Sequence, residues 1–289
     1  MTHTDKRTGV IRSRISRFVF GRFLLLSYPK CGRTWVRVFL CKYYAQRDKI
    51  PFSEKLIMPR PFNRSPYPSV YPTHLGVPPF VSFGSFLKHL GVWQTLFSWI
   101  HAIKRSRVIF LVRDPRDVVV SYYFDATRRS RTEGYASYTL GSLLRDDVFG
   151  INAIVRYMNA WYASRNRFRD FLLVRYEDLR EHPEQEFRRI LSFLSSEPIN
   201  EDAFTAALEF SSFDQMRAME RAGKMGRNIR PGDAADEDSY KVRRGVVGGF
   251  RSHFTEADMR FADEAVSKLD PELGYNLGQN NSAHNASSQ

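Results

Sequence analysis

The sequence predicts a three-layer α/β domain with a central parallel sheet and helices on both faces of that sheet. Three short apolar runs, at 23–26, 108–112 and 171–174, are typical of strands that are buried on both sides. Each run is followed by a segment with helical periodicity, and strands that alternate with helices form parallel sheets. The segments that follow the strands are therefore expected at one edge of the sheet, where open α/β folds bind their ligands.

The helices that follow the first two strands have recognisable starts. The first helix is predicted from Thr34 onward, with Arg37 and Lys42 facing solvent, because apolar residues recur at helical spacing. In the second helix, Asp114 suits the N-cap and Pro115 the first helical position. We expect this second helix to carry Val118 to Thr127 and to end in Arg128, Arg129 and Arg131.

The composition narrows the class of protein without fixing its partner. The chain carries a formal net charge of +13, from 44 lysines and arginines against 31 aspartates and glutamates. Nucleic acid, an anionic membrane, an acidic glycan, a phosphate-rich cofactor and merely solvated surface charge all fit this excess. A cytoplasmic enzyme is predicted, because the sequence contains neither a secretory leader nor an apolar segment of spanning length. Cys31 and Cys41 would lie about 15 Å apart on a helix, which predicts free thiols.

The most informative segment is the loop between the first strand and the first helix, SYPKCGRTW at 27–35. Such a loop presents backbone N–H groups, the positive end of the helix dipole and the Lys30 ammonium to an anion. It lacks the Walker spacing GxxxxGK[ST], so an ordinary nucleotide kinase or ATPase is disfavoured. A tight turn in which Lys30 merely lies on the surface is the alternative at this point.

Five segments together resemble one family. YPKCGRTW at 28–35 resembles the YPKSGTTW loop with which sulfotransferases that use 3′-phosphoadenosine 5′-phosphosulfate (PAPS) hold the 5′-phosphosulfate. VIFLVRDPRDVVVSYY at 108–123 is similar to the family's second signature, and FLLVRYEDLREHP at 171–183 to its third strand and turn. FSSFDQM at 210–216 and VRRGVVGGF at 242–250 resemble two further elements, in the family's order. The resemblance implies a P-loop NTPase-like sulfotransferase fold that uses PAPS as the sulfuryl donor.

The resemblance implies a role for each matched residue. Lys30 and Thr34 would bind the 5′-phosphosulfate, whereas Arg113 and Ser121 would bind the 3′-phosphate. Arg33 would add an anion contact, and Cys31 would contribute mainly its backbone N–H. Trp35 and Phe213 would stack on the adenine, with Tyr176 beside it. The full implied cofactor set is Lys30, Cys31, Gly32, Arg33, Thr34, Trp35, Arg113, Ser121, Tyr176, Ser212, Phe213, Arg243, Arg244 and Gly245.

The family's general base is a histidine in a Lys-Thr-His-Leu-Pro element, which YPTHLG at 71–76 resembles in part. On that match His74 would take the acceptor's proton, and Lys30 would stabilise the leaving phosphate oxygen. Pro72 replaces the lysine and Gly76 the proline of this element. His89, His101 and His253 are expected to be ordinary surface or core residues.

The acceptor is predicted only by class, as a small molecule, lipid or carbohydrate with a hydroxyl or amine. The segment 77–103 lies where the family carries acceptor-binding insertions, and a pocket, a lid and a core helix all fit its aromatic residues. No metal is expected, because no carboxylate cluster resembles a magnesium site. No nucleic acid is expected, because no recognition motif accompanies the charge. A P-loop small-molecule kinase and a catalytically idle protein that binds nucleic acid or desulfated PAPS (PAP) are the alternatives.

Three parts of the chain are predicted. They are a basic extension at 1–22, the sulfotransferase domain at 23–275 and a disordered polar tail at 276–289. Within the domain, 223–240 is rich in glycine, proline and acidic residues, which predicts a mobile loop.

Overall fold

The computed structural model describes residues 23–52, the backbone of 70–73, and residues 105–131, 135, 137–226 and 229–275. Within these ranges one parallel sheet contains β1 (Phe23–Ser27), β2 (Val70–Thr73), β3 (Arg107–Val112) and β4 (Asp170–Arg175). Their order across the sheet is β2-β1-β3-β4, and Leu26 lies opposite both Thr73 and Phe110. The carboxyl ends of these strands therefore meet at one edge of the sheet.

Helices connect and cover the strands. Their bounds are α1 Arg33–Arg47, α2 Pro115–Phe124, α3 Leu140–Leu144, α4 Ile151–Ala163, α5 Tyr176–Glu181, α6 Pro183–Leu194, α7 Glu201–Phe210, α8 Phe213–Arg221 and α9 Glu256–Val266. Short 3₁₀ turns lie at Arg165–Arg167, Glu237–Ser239, Gly249–Ser252 and Pro271–Leu273.

Both faces of the sheet carry helices. Phe23 of β1 meets Phe193 of α6 with ring centroids 6.2 Å apart, whereas Phe110 of β3 lies 6.4 Å from Tyr157 of α4. Leu26 is the register partner of Phe110 and lies three residues after Phe23, so Phe23 and Phe110 point to opposite faces. The predicted three-layer α/β/α architecture is therefore confirmed.

Helix α1 is more deeply enclosed than its sequence predicts. Phe39 stacks on Phe187 of α6 with ring centroids 3.8 Å apart. The expectation that Arg37 and Lys42 face solvent is wrong, because both are half-buried. The Lys42 ammonium lies 5.2 Å from the ring centroid of Phe210, since α7 packs across the helix face that periodicity alone leaves exposed.

Helix α2 begins as predicted but ends differently. The Asp114 carboxylate accepts the N–H of Arg116 as the N-cap, and Pro115 is the first helical residue. The regular α-helix stops at Phe124, and the last part of the predicted helix is instead a π-helical turn, Asp125–Arg129. Such turns change the direction of side chains and are frequent at functional sites. The π turn therefore indicates that a functional site lies near the end of α2.

The segment 223–240 is packed, which the expectation of a mobile loop missed. In its described part, Met225, Ile229 and Tyr240 are buried in the interior. Gly232 is pressed against the π turn, since a Cβ atom on this residue would lie 2.5 Å from the carbonyl oxygen of Arg129. The segment therefore supports the π turn from outside.

Cys31 and Cys41 are both buried and form no disulfide, as predicted. Burial raises the pKa of the Cys31 thiol to about 12 and that of Cys41 to about 11, so both are protonated near neutral pH. No helix in the described ranges is both long enough and apolar enough to cross a bilayer.

Candidate active site

The loop between β1 and α1 adopts a conformation that requires glycine at one position. Lys30 has a φ of 75°, and Gly32, the N-cap of α1, has a φ of 94°. A Cβ atom on Gly32 would lie 2.6 Å from Cδ2 of Tyr176, so both the backbone and the available space favour glycine here. The Cys31 side chain is fully buried behind the loop. This conformation brings Lys30, Gly32 and the start of α1 to the wall of a cavity of about 350 Å³.

The Lys30 ammonium forms an ion pair with the π turn at the end of α2. Its Nζ lies 2.9 Å from Oδ1 of Asp125, and Arg129 donates from Nε to the same oxygen. Burial raises the pKa of Asp125, but the charges of Lys30 and Arg129 and their hydrogen bonds outweigh burial and hold this pKa well below its usual value. Burial lowers the pKa of Lys30, and the Asp125 charge partly offsets that effect. The ionised carboxylate thus fixes the position of the ammonium.

Arg113, directly after β3, connects several parts of the cavity wall. It donates to the carbonyl oxygens of Lys30 and Val246, at 3.5 and 3.2 Å. Its guanidinium carbon lies 4.3 Å from the ring centroid of Tyr176, and its Nη2 is 3.5 Å from Oδ2 of Asp117. Its buried Nε has no hydrogen-bond partner among the described residues. Because an unsatisfied buried donor is costly, this geometry fits a bound anion that would accept from it.

Residues 241–250 close one side of the cavity, and we call this segment the clasp. At its start the buried Glu220 carboxylate accepts the N–H groups of Lys241 and Val242, both at 2.8 Å. At its end the buried Asp117 carboxylate accepts the N–H groups of Gly248 and Phe250, at 2.8 and 3.0 Å. Two carboxylates outside the clasp, 21 and 131 residues away from the N–H groups they accept, therefore hold both of its ends.

The middle of the clasp carries the cationic residues Arg243 and Arg244. Asp238 pairs with both, at 3.1 Å from Nη1 of Arg243 and 3.7 Å from Nη2 of Arg244. Gly245 has a φ of 62°, and a Cβ atom there would lie 2.5 Å from Cε2 of Phe213. Close packing on Phe213 thus sets how far the clasp approaches the cavity.

Replacing Glu220 by glutamine should loosen the clasp, because one amide oxygen replaces a carboxylate that accepts two backbone N–H groups. We expect the free energy of unfolding to fall by about 2–4 kcal/mol and PAP to bind at least ~10-fold more weakly. Thermal unfolding and calorimetric titration with PAP measure these two effects. Glu209→Gln, at an exposed position on α7, is the matched control. An unchanged PAP affinity in Glu220→Gln would contradict the anchoring role of this carboxylate.

One end of the cavity is aromatic. Trp35 meets Tyr176 edge-on, with ring centroids 6.1 Å apart, and Phe213 lies at the start of α8. The Arg180 guanidinium carbon lies 5.8 Å from the Trp35 ring and 5.2 Å from the Phe213 ring, measured to the centroids. The flat Arg180 guanidinium therefore lies near both of the rings on which the resemblance stacks the adenine.

The structure brings most of the predicted site residues to this one cavity. Those that border it are Lys30, Gly32, Arg33, Thr34, Trp35, Arg113, Ser121, Tyr176, Phe213, Arg243, Arg244 and Gly245. Two are not among the residues that border the cavity: Cys31 lies in the core, and Ser212 caps α8 by accepting the N–H of Gln215. His74 and the segment 77–103 lie outside the described residues.

Several wall residues were missed by the sequence interpretation. Asp125, Arg129 and Lys241 border the cavity near Lys30. His253, expected to be ordinary, also borders it, and burial together with the charges of Arg243 and Arg244 lowers its pKa. For Asp125 and Arg129 a signal was present, since they continue the four-residue spacing from Ser121.

No group of three or more potential metal ligands occurs among the described histidine, cysteine, aspartate and glutamate residues.

Comparison with known proteins shows the family to which the chain belongs. The sulfotransferase domain model matches residues 21–274. Sulfotransferase 1 family member D1 of Mus musculus is 27% identical over 267 residues, covering 86% of this chain and 83% of the relative. Sulfotransferase 2A1 of Rattus norvegicus is 27% identical over 252 residues, covering 85% and 83%.

Solved structures show the same fold. Mouse sulfotransferase SULT7A1 complexed with PAP aligns with a TM-score of 0.54 and 21% identity, covering 85% of this chain and 83% of that one. Retinol dehydratase in complex with androsterone and inactive cofactor PAP aligns with a TM-score of 0.55 and 15% identity, covering 85% and 79%. At these identities the structures show the fold alone, whereas the family model covers most of the chain and removes the kinase alternative. The chain therefore belongs to the sulfotransferase domain family and is a PAPS-dependent sulfotransferase.

Proposed function

We propose that PAPS lies along the cavity with its 3′-phosphate between Arg113, Ser121 and the clasp, and its 5′-phosphosulfate at Lys30. The observation that carries this proposal is that one cavity unites the five segments that resemble the family's motifs. The adenine then lies toward Trp35 and Phe213, the aromatic end of the cavity. The Arg180 side chain lies near both rings and has to move to make room for the adenine ring.

The side chains present fit this ligand. PAPS carries about four negative charges near neutral pH, since a phosphate monoester has a second pKa of roughly 6. Buried donors without partners among the described residues, Nε of Arg113 and Nη1 of Arg33, are suited to its oxygens. Burial and the charge of Arg37 lower the pKa of Arg33 to about 10, which still leaves the guanidinium charged at neutral pH. We propose that Arg33 adds an anion contact beside Lys30.

The donor supplies the sulfuryl group: a new bond forms between the acceptor oxygen and sulfur as the bond from sulfur to the 5′-phosphate oxygen breaks, and PAP leaves. We assign Lys30 to the charge that develops on that leaving oxygen, because electrostatic stabilisation and positioning dominate transfers of this type. Asp125 pairs with the ammonium at 2.9 Å, and we propose that Lys30 exchanges this partner for the phosphosulfate when PAPS binds.

We propose His74 as the base that takes the proton of the acceptor. It follows Thr73 directly in the chain, and Thr73 ends β2 opposite Leu26 of β1, the strand that leads into the Lys30 loop. A histidine has a pKa close to neutral pH, which suits proton abstraction there. His74→Gln should lower kcat by about 10²-fold or more while leaving PAP affinity within a few-fold, and an unchanged kcat would exclude this role.

The acceptor is a small molecule, and a lipid or a carbohydrate with a hydroxyl or amine is our proposal for its kind. Retinol dehydratase, which has the same fold, is complexed with androsterone in one solved structure and with retinol in another. We further propose that the catalytic unit is 23–275, with 1–22 and 276–289 as appended segments, and that the enzyme works in the cytoplasm.

Calorimetric titration of the purified protein with PAP, 5′-AMP and ATP–Mg tests the site. PAP should bind at least ~100-fold more tightly than 5′-AMP, because the 3′-phosphate makes several charge-assisted hydrogen bonds. Binding of ATP–Mg without binding of PAP would overturn the proposal. Binding of nucleic acid that PAP does not displace would favour the idle-protein alternative instead.

A further inference from the structure

The loops that follow β3 and β4 each begin with a residue of the proposed cofactor site. Val112 of β3 is the register partner of Arg175 of β4. The next residues, Arg113 and Tyr176, therefore lie side by side, and the Arg113 guanidinium carbon is 4.3 Å from the ring centroid of Tyr176. A change in the spacing of these loops would move the residue assigned to the 3′-phosphate relative to the residue assigned to the adenine.

One carboxylate, that of Glu177, joins the two loops. Its Oε1 accepts the backbone N–H of Asp114 at 2.9 Å. Asp114 directly follows Arg113 in the chain, and Glu177 directly follows Tyr176. Because hydrogen bonds to a charged acceptor are among the strong ones, this contact fixes the spacing of the loops next to both site residues.

The second oxygen of the Glu177 carboxylate is held from the end of the domain by Tyr275. The Tyr275 hydroxyl donates to Oε2 of Glu177 at 2.7 Å, and the tyrosine side chain is buried. Burial raises the pKa of this phenol well above its usual value, so the hydroxyl stays protonated and remains a donor. Tyr275 directly follows the region 21–274 that the family model matches.

Arg175, the last residue of β4, fixes the direction of the Tyr275 side chain. Its guanidinium carbon lies 4.7 Å from the ring centroid of Tyr275, and its Nη2 donates to the carbonyl oxygen of Gly274 at 2.9 Å. Gly274 has a φ of 77°, and a Cβ atom there would lie 3.2 Å from the same guanidinium carbon. The backbone that carries Tyr275 is therefore packed closely against the end of β4.

We propose that Tyr275 is a positioning residue for the donor: through Glu177 it sets the position of Arg113 relative to Tyr176 that PAP and PAPS require. This inference rests on the proposed placement of the 3′-phosphate at Arg113 and of the adenine beside Tyr176. Tyr275 is not among the residues that border the cavity, so it acts through these contacts and not by touching the donor. Without its hydroxyl, Oε2 of Glu177 loses this donor, and the carboxylate can rotate away from Asp114.

Tyr275→Phe removes the hydroxyl and keeps the ring. Calorimetric titration should show that PAP binds about 10-fold more weakly, the usual effect of losing one hydrogen bond to a charged group. The affinity for 5′-AMP should fall less, because 5′-AMP lacks the 3′-phosphate that Arg113 binds. Thermal unfolding of the variant identifies a temperature at which it is fully folded, and the titrations are made at that temperature.

Tyr162→Phe is the matched control, because it also removes a hydroxyl that donates to a glutamate near the end of the domain. Tyr162 of α4 donates to Oε2 of Glu272 at 2.9 Å, a contact that involves neither cofactor loop. This variant should lower the unfolding temperature and leave PAP affinity unchanged.

A double-mutant cycle separates positioning from a general loss of stability. If Tyr275 acts through Arg113, adding Tyr275→Phe to Arg113→Lys should weaken PAP binding by less than ~3-fold beyond Arg113→Lys alone. Independent effects would instead multiply and give a further loss of ~10-fold.

The inference is wrong if Tyr275→Phe binds PAP as tightly as the wild type does, or if its effect multiplies with that of Arg113→Lys. A wild-type protein that does not bind PAP would refute the proposed cofactor site instead, so the two failures are distinguishable.

Discussion

Replacing Arg113 by lysine should weaken PAP binding by about 100-fold and remove most of the preference for PAP over 5′-AMP. Lysine keeps the charge but has no planar set of donors, and Arg113 uses two nitrogens to hold the carbonyl oxygens of Lys30 and Val246. Its buried Nε is the donor that we assign to the 3′-phosphate. Calorimetric titration with PAP and with 5′-AMP measures both affinities.

The control for this substitution is Arg167→Lys, at an exposed position in a 3₁₀ turn. It should leave both affinities unchanged. An Arg113→Lys protein that still favours PAP over 5′-AMP as the wild type does would place the 3′-phosphate elsewhere in the cavity.

Replacing Lys30 by methionine should lower kcat by about 10²–10³-fold, the usual effect of removing a donor aimed at developing charge. PAP affinity should fall much less, by about 10-fold, since PAP lacks the sulfuryl group and retains its 3′-phosphate contacts. A large loss of kcat together with a small loss of PAP affinity would assign Lys30 to the reaction step and not mainly to the binding of PAP. Steady-state transfer to any acceptor found by screening, together with PAP titration, measures the two quantities.

Loss of Lys30 also leaves Asp125 paired with Arg129 alone, so a second substitution is needed to interpret the result. Lys30→Arg keeps a cation beside Asp125 and should restore PAP affinity more fully than kcat, because the guanidinium cannot occupy the same point as the ammonium. A Lys30→Met enzyme with kcat within a few-fold of wild type would show that the leaving oxygen is stabilised by another residue.

The parts of the fold predicted from sequence are those set by local patterns. Apolar runs located β1, β3 and β4, and Asp114 with Pro115 located the start of α2. The end of α2 could not be predicted in this way. The π turn depends on contacts with Lys30 and Gly232, which come from other parts of the chain.

In the candidate site, too, local motifs could be predicted from sequence, whereas contacts between distant parts of the chain could not. Motif resemblance predicted many of the residues that border the cavity, but it did not predict the contacts that hold them in place. Asp117 accepts an N–H from Gly248, 131 residues away in sequence. Lys241 lies just outside the segment that resembles the family's last motif, and only the fold places it near Lys30 and Arg129.

The two anchors of the clasp bear on how the protein is made. The Lys30 loop and α2 leave the ribosome first, whereas Gly248, which Asp117 binds, follows 131 residues after that carboxylate. On the proposed placement of PAPS, a nascent chain that stops before Phe250 has Lys30 and Arg113 but no closed 3′-phosphate site. Tight retention of the nucleotide should therefore begin only once the clasp has been translated, so we expect the donor to stabilise chains that contain the clasp and to give little protection to shorter ones.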